Sequence, residues 1–97
     1  MRNRYLVAYD ISDDARLRQV YKRMHGFGDP LQYSVFRCDL SDVEKLEMVR
    51  VIHELIHHEE DRVMIVDTGP ADGRAQVSFE FIGRAPATPE RSGPVIV

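Results

Sequence analysis

A run of strand-forming residues, Tyr5-Leu6-Val7-Ala8-Tyr9, closed at once by Asp10, sets the strongest limit on what this chain can fold into. A run this short and this rich in aromatic and branched residues reads as a buried strand. The polar stretch Ile11-Ser12-Asp13-Asp14 follows it, and Ser12 or Asp13 can cap a helix by accepting from its free N–H groups. Leu17, Val20, Tyr21 and Met24 then recur at helical spacing and form one apolar stripe. Gly26, Gly28 and Pro30 stop that helix.

Residues 31–38 form the next strand region, either continuous, with Tyr33 and Val35 on one side and Ser34 and Phe36 on the other, or split in two. Ser41-Asp42-Val43-Glu44 is a capping box, in which Ser41 and Glu44 satisfy each other's free N–H groups. The helix it opens is expected to reach His57, with Leu46, Val49, Ile52 and Ile56 buried. Glu59-Glu60-Asp61 is a polar break. Val63-Met64-Ile65-Val66 is a short buried strand, residues 67–73 are a turn by composition, and Val77, Phe79 and Phe81 alternate as a half-buried strand. Beyond Gly83 the chain is Pro-rich and ends in Val95-Ile96-Val97.

This order predicts an α+β, ferredoxin-like sandwich: a mostly antiparallel sheet with two helices on one face. Residues 1–83 are the domain and 84–97 an arm. An apolar terminus beyond such an arm is placed to add an edge strand to a partner's sheet, and two open sheet faces meeting would bury each other in a homodimer. A 97-residue chain has a modest core and gains stability from such pairing.

Charge and cysteine usage narrow the function classes. Residues 1–37 carry seven Lys and Arg against four Asp and Glu, and residues 38–97 carry six against twelve. The N-terminal half can face a phosphate backbone, although charge alone favours the reading of solvated surface. The single cysteine, Cys38, rules out an internal disulfide and is expected to be a buried strand residue. No segment approaches the ~20 apolar residues of a membrane span, and the apolar run before Asp10 is too short for a signal peptide. The expected compartment is the cytoplasm, with no membrane partner.

Two patterns could carry chemistry. Asp10 closes an apolar strand and so sits at a sheet edge near the surface. Hard divalent cations such as Mg²⁺ take oxygen ligands and keep several waters. One Asp is a sparse site, but two copies of Asp10 across a twofold axis make an adequate one, able to activate water against a phosphodiester. On spacing alone, Asp10 reads instead as a turn cap. Arg16, Arg18, Lys22 and Arg23 form a basic helix face behind it, suited to a polyanion. Tyr9, Tyr33 and Phe36 could stack on bases or pack.

The second pattern is His53-Glu54-Leu55-Ile56-His57, the H-E-x-x-H spacing of zinc peptidases, with two His as ligands and Glu as base. Such enzymes need a third ligand and a cleft. His25 and His58 lack the spacing, and the helical wheel puts His53 and His57 on the polar face beside Arg50. A zinc metallopeptidase is therefore the remote alternative.

Together, Tyr5-Leu6-Val7-Ala8-Tyr9-Asp10-Ile11, Asp13-Asp14, Arg16-Leu17-Arg18, Gly26, Gly28 and Gln32-Tyr33-Ser34-Val35-Phe36-Arg37-Cys38 resemble the CRISPR-associated protein two family of small dimeric adaptation proteins. The resemblance implies a ferredoxin-like homodimer with exchanged C-terminal strands. It implies a role in spacer acquisition, in which the dimer bridges dimers of the CRISPR-associated integrase and holds DNA. It also implies a metal-dependent endonuclease acting on RNA or double-stranded DNA, with Asp10 of each protomer flanking one Mg²⁺, and Tyr9, Arg16, Arg18 and Phe36 near that site. The alternative within the family is a non-catalytic DNA-binding scaffold. Two departures stand out. Asp29-Pro30-Leu31 precede Gln32 where relatives often have a basic residue, and Arg37 stands where many have Glu.

Overall fold

The structure, a computed structural model, describes residues 1–73 and 78–84. Its elements are β1 (Asn3–Asp10), α1 (Asp14–Met24), β2 (Asp29–Gln32), β3 (Val35–Leu40), α2 (Asp42–Leu55) and β4 (Arg62–Pro70). The sheet order is β2-β3-β1-β4, and every pairing in it is antiparallel. Two interleaved strand–helix–strand crossovers give this order, which is the ferredoxin-like arrangement.

One face of the sheet carries the core. Tyr5, Val7 and Tyr9 of β1 alternate inward with Phe36, Cys38 and Leu40 of β3. Val20 and Met24 of α1, and Met48 and Ile52 of α2, pack onto them. Val7, Phe36 and Met48 are completely enclosed, and each such side chain contributes about 1.5–3 kcal/mol through burial. Among the described residues, no helix is long and apolar enough to cross a membrane.

The caps form as their residue types dictate. Asp13 accepts from the Arg16 amide at the start of α1. Ser41 and Glu44 form the reciprocal capping box of α2, and Arg2 pairs with Glu44 from outside.

Four expectations are corrected, and one open alternative is decided. The buried face of α2 runs through Met48, Val51 and Ile52, while Leu46 is 70% exposed. The helix carries two overlapping apolar stripes, and the Met48–Val51–Ile52–Leu55 stripe has the i, i+3, i+4, i+7 spacing that meets a sheet. Lys45 on the same side lays its ammonium 5.2 Å from the Tyr5 ring centre. Second, α2 ends at Leu55 rather than His57. The His57 amide donates to Asp61 Oδ2 at 2.8 Å, which takes it out of the helical ladder. Third, of the two alternatives for the strand region the split one forms: residues 29–40 are a hairpin of two strands, with Tyr33-Ser34 as its turn.

Fourth, β4 continues through Pro70, so the turn is confined to 71–73. Asp67 holds an irregularity against β1: its carboxylate accepts from Asn3 Nδ2 at 3.1 Å and from the Gly69 amide at 2.9 Å. Gly69 takes a φ of 95° there, which a side chain would strain. The turn-forming residues are thus absorbed into a bulge. Fifth, residues 78–84 form no strand. Residues 78–81 instead line a groove with Leu6, Leu31, Gln32 and Val35 on the face away from the helices. Val77 and, apart from Arg84, the arm expected at 84–97 lie outside the described residues.

Candidate functional site

The antiparallel register places the end of β1, the hairpin turn after β2 and the start of β4 at one end of the sheet. Asp10, the last residue of β1, stands opposite Arg62, the first of β4. Their side chains are 3.4 Å apart and mostly exposed, at 75% and 87%. An exposed pair of this kind is weak, about 0.2–1 kcal/mol. Asp10 is therefore not the helix cap, a role Asp13 fills; it is a carboxylate held at the rim of the sheet and open to a ligand. Ala8, Tyr9, Val63 and Met64 complete the walls of the shallow depression around the pair.

The other expected site residues separate. Tyr9 turns into the core: its hydroxyl donates to the Tyr33 carbonyl at 2.7 Å, and its ring lies over Phe36 with centroids 6.3 Å apart. Burial pushes its phenol pKa upward, so it holds its proton at neutral pH. Phe36 is wholly enclosed. Arg18 is exposed on α1. Arg16 is turned toward the α2–β4 loop, where it binds Asp61 and Glu60.

Asp61 is the residue sequence reasoning missed. It reads as part of a polar break, yet it is buried and gathers the loops behind Asp10. Its carboxylate accepts from the Ser12 amide at 3.0 Å, from Ser12 Oγ at 3.1 Å, from Arg16 and from the His57 amide. The Arg16 guanidinium, above all, holds its carboxyl well below the usual carboxylate range, helped by the His57 and Ser12 donors. The one signal in the sequence was its position directly before the β4 apolar run.

Metal binding can be tested on the residues present. Among the described residues, no group of three or more His, Cys, Asp or Glu is placed to hold an ion. Asp10 of a single chain offers one carboxylate beside a guanidinium, which is too little for a divalent cation. The zinc arrangement does not form either. His57 lies beyond α2, while His53 stacks on His58 with ring nitrogens 3.0 Å apart. The helical i, i+4 geometry that H-E-x-x-H requires is lost to the Asp61–His57 bond.

Comparison with known proteins places this geometry in context. Residues 2–73 match the family described as CRISPR associated protein Cas2. The CRISPR-associated endoribonuclease Cas2 1 of Rhodospirillum rubrum is 41% identical over 92 residues, covering 95% of this chain and 89% of that protein. The CRISPR-associated endoribonuclease Cas2 of Geobacter sulfurreducens is 46% identical over 72 residues, covering 74% and 76%. The crystal structure of a hypothetical protein from Thermus thermophilus superposes with a TM-score of 0.73 at 29% identity, over 89% of this chain and 96% of that one. With the match running from the start of β1 past the end of β4, the chain belongs to the CRISPR-associated Cas2 family.

Proposed function

We propose that this chain is an endoribonuclease of CRISPR adaptation that hydrolyses phosphodiester bonds with Mg²⁺ held between Asp10 of two protomers. The observation that carries the reading is the Asp10 carboxylate, mostly exposed at the sheet rim with only a weak partner, Arg62. The relatives' designation as endoribonucleases supports RNA as substrate, with double-stranded DNA as the second substrate class. Two carboxylates and several waters suit Mg²⁺, which when bound lowers the pKa of a water and offsets the charge of the transition state. Arg62 and the exposed Arg18 meet phosphate oxygens and orient the strand. Tyr9 and Phe36 keep the end of β1 rigid from the core side, and Arg16 holds the following loop through Asp61.

The open sheet face supports a homodimer. Met64 is 58% and Val66 38% exposed there, and among the described residues β4 is an edge strand of the sheet, the kind of edge that pairs with a further strand. We read the compartment as the cytoplasm and the further partner as the CRISPR-associated integrase. Sedimentation that finds the dimer intact after removal of residues 84–97 would refute strand exchange by the arm.

The test is cleavage of single-stranded RNA and duplex DNA by the purified protein, with Mg²⁺ and with chelator. Activity should need Mg²⁺ and be lost in Asp10→Ala. Cleavage by Asp10→Ala at the wild-type rate would sink the enzymatic reading. A second reading, a DNA-holding scaffold of the integrase complex, is favoured by the single carboxylate each chain contributes. It predicts no cleavage and spacer acquisition that survives Asp10→Ala.

A further inference from the structure

The turn between β2 and β3 presents a ring to solvent. Tyr33 is 54% exposed, and one side of its ring lies on Tyr21 of α1, with centroids 4.8 Å apart and planes 30° from parallel. Tyr21 is in turn held edge-on by His25 at 4.8 Å and by the enclosed Phe36 at 5.5 Å. The turn's backbone is fixed as well. The Tyr33 carbonyl accepts from the Tyr9 hydroxyl at 2.7 Å, and the Ser34 carbonyl accepts from the Tyr9 amide at 3.0 Å. Tyr9 immediately precedes Asp10, so the same residue anchors the exposed ring and the rim carboxylate.

A ring backed by another ring and fixed at its backbone is an ordered π-face, which loses little freedom when a base settles on it. The flank beside it is cationic. Arg18 and Lys22 are exposed on α1, three residues before and one residue after Tyr21. Neither is engaged by a carboxylate among the described residues. Arg18 is the nearer of the two to the Asp10 end of the helix.

We propose that Tyr33 stacks on one unpaired nucleobase of a single-stranded nucleic acid whose phosphates pass Arg18 and Lys22 toward Asp10. The inference rests on the reading of Asp10 as the phosphodiester site and adds to it a residue that holds a base. Bases inside a duplex are stacked on both faces and offer nothing to an isolated ring, so the ledge selects single strands. Stacking is shared by all bases and by RNA and DNA, so it discriminates by strandedness rather than sequence.

The experiment is fluorescence anisotropy on the full chain in chelator, so that nothing is cleaved, with labelled oligouridine, oligothymidine and a duplex of equal length. Tyr33→Ala should weaken both single strands about tenfold and leave the duplex within about twofold. Tyr33→Phe should bind as wild type, because the hydrogen bond of this turn uses the Tyr33 carbonyl. Tyr33→Leu keeps apolar cover over Tyr21, guarding against misfolding, and should be as weak as Tyr33→Ala. Arg18→Gln with Lys22→Gln should weaken all three ligands and flatten the salt dependence. Loss confined to oligouridine would narrow the ligand to RNA. Single-strand binding that is unchanged in Tyr33→Leu, or lost in Tyr33→Phe, overturns the proposal, as does a wild-type protein that binds no single strand. The two readings fail separately. Asp10-dependent cleavage with unaltered binding in Tyr33→Ala removes only the stacking role, and Asp10-independent cleavage with weakened binding removes only the metal site.

Discussion

Asp61 holds Arg16 with both carboxylate oxygens, Oδ2 at 2.9 Å from Nε and Oδ1 at 3.1 Å from a terminal nitrogen, in a pair that joins the first turn of α1 to the loop before Arg62, while Ser12 ties the loop after Asp10 to the same carboxylate. The two rim residues therefore share one brace. A basic residue that the sequence places on a phosphate-facing helix is spent on the fold, and the exposed cations left nearby are Arg18, Lys22 and Arg62.

Asp61→Asn removes the charge while keeping the shape. It leaves a guanidinium facing a neutral amide and gives the His57 and Ser12 amides a poorer acceptor. Breaking one partner of a buried, hydrogen-bonded pair is costly, so the thermal midpoint should fall by roughly 5–15 °C. Calorimetry on the variant checks this, and an unchanged midpoint would mean that the brace contributes nothing.

Acid should act through the same carboxyl. The unfolded chain takes up the Asp61 proton near the ordinary value of 3.8, and the folded chain only at lower pH. The unfolded state therefore binds more protons as pH falls, so this part of the stability is intact above about pH 4 and is lost below it. Urea midpoints measured from neutral pH down to about 2.5 should decline through that window. The decline should be shallower in Asp61→Asn; equal slopes would assign acid sensitivity to other groups.

Gly28 is required for close packing rather than for an unusual backbone angle. A Cβ there would stand 2.2 Å from the Arg37 carbonyl oxygen and 2.7 Å from Cys38 Sγ. Because the first obstacle is backbone, β3 itself would have to shift, so Gly28→Ala should cost about 1–3 kcal/mol in urea unfolding. Wild-type stability in that variant would contradict the contact.

Cys38 is fully enclosed between β1 and the helices, and burial pushes its thiol pKa up to about 12. The thiolate is the reactive form, so a disulfide reagent at pH 8 should label the native protein only on the timescale of unfolding and label it fully in urea. Rapid stoichiometric labelling without denaturant would show that the strand opens or that the thiol is reachable.

Arg62 competes with a cation for Asp10. On the reading of Asp10 as a metal ligand, Arg62→Ala should lower the Mg²⁺ concentration for half-maximal cleavage about two- to fivefold, as expected for loss of a weak exposed pair. A raised Mg²⁺ requirement would assign Arg62 to the metal site's support rather than to competition.

The local features of this fold were legible in the residues. Tyr5, Val7 and Tyr9 point inward because a strand alternates its side chains. Ser41 and Glu44 close their capping box because both partners lie within one turn of helix. The order of strands and helices follows from such short-range signals, and with it the sandwich. Tertiary structure decided the rest, because it depended on partners far apart in the chain. Leu46 and Met48 compete for the sheet with apolar stripes of similar strength, and only the position of α2 over β1 and β3 puts Met48 inside. His57 leaves the helix because Asp61 claims its amide. Arg16 is bound to a carboxylate 45 residues away. Asp10, by spacing a turn cap, is freed from that role because Asp13 takes it and the antiparallel register of β4 brings Arg62 opposite. Hydrophobic periodicity and capping act over a turn or two of chain, whereas the ion pairs that shape this site form only after the crossovers have laid β3 and β4 on either side of β1.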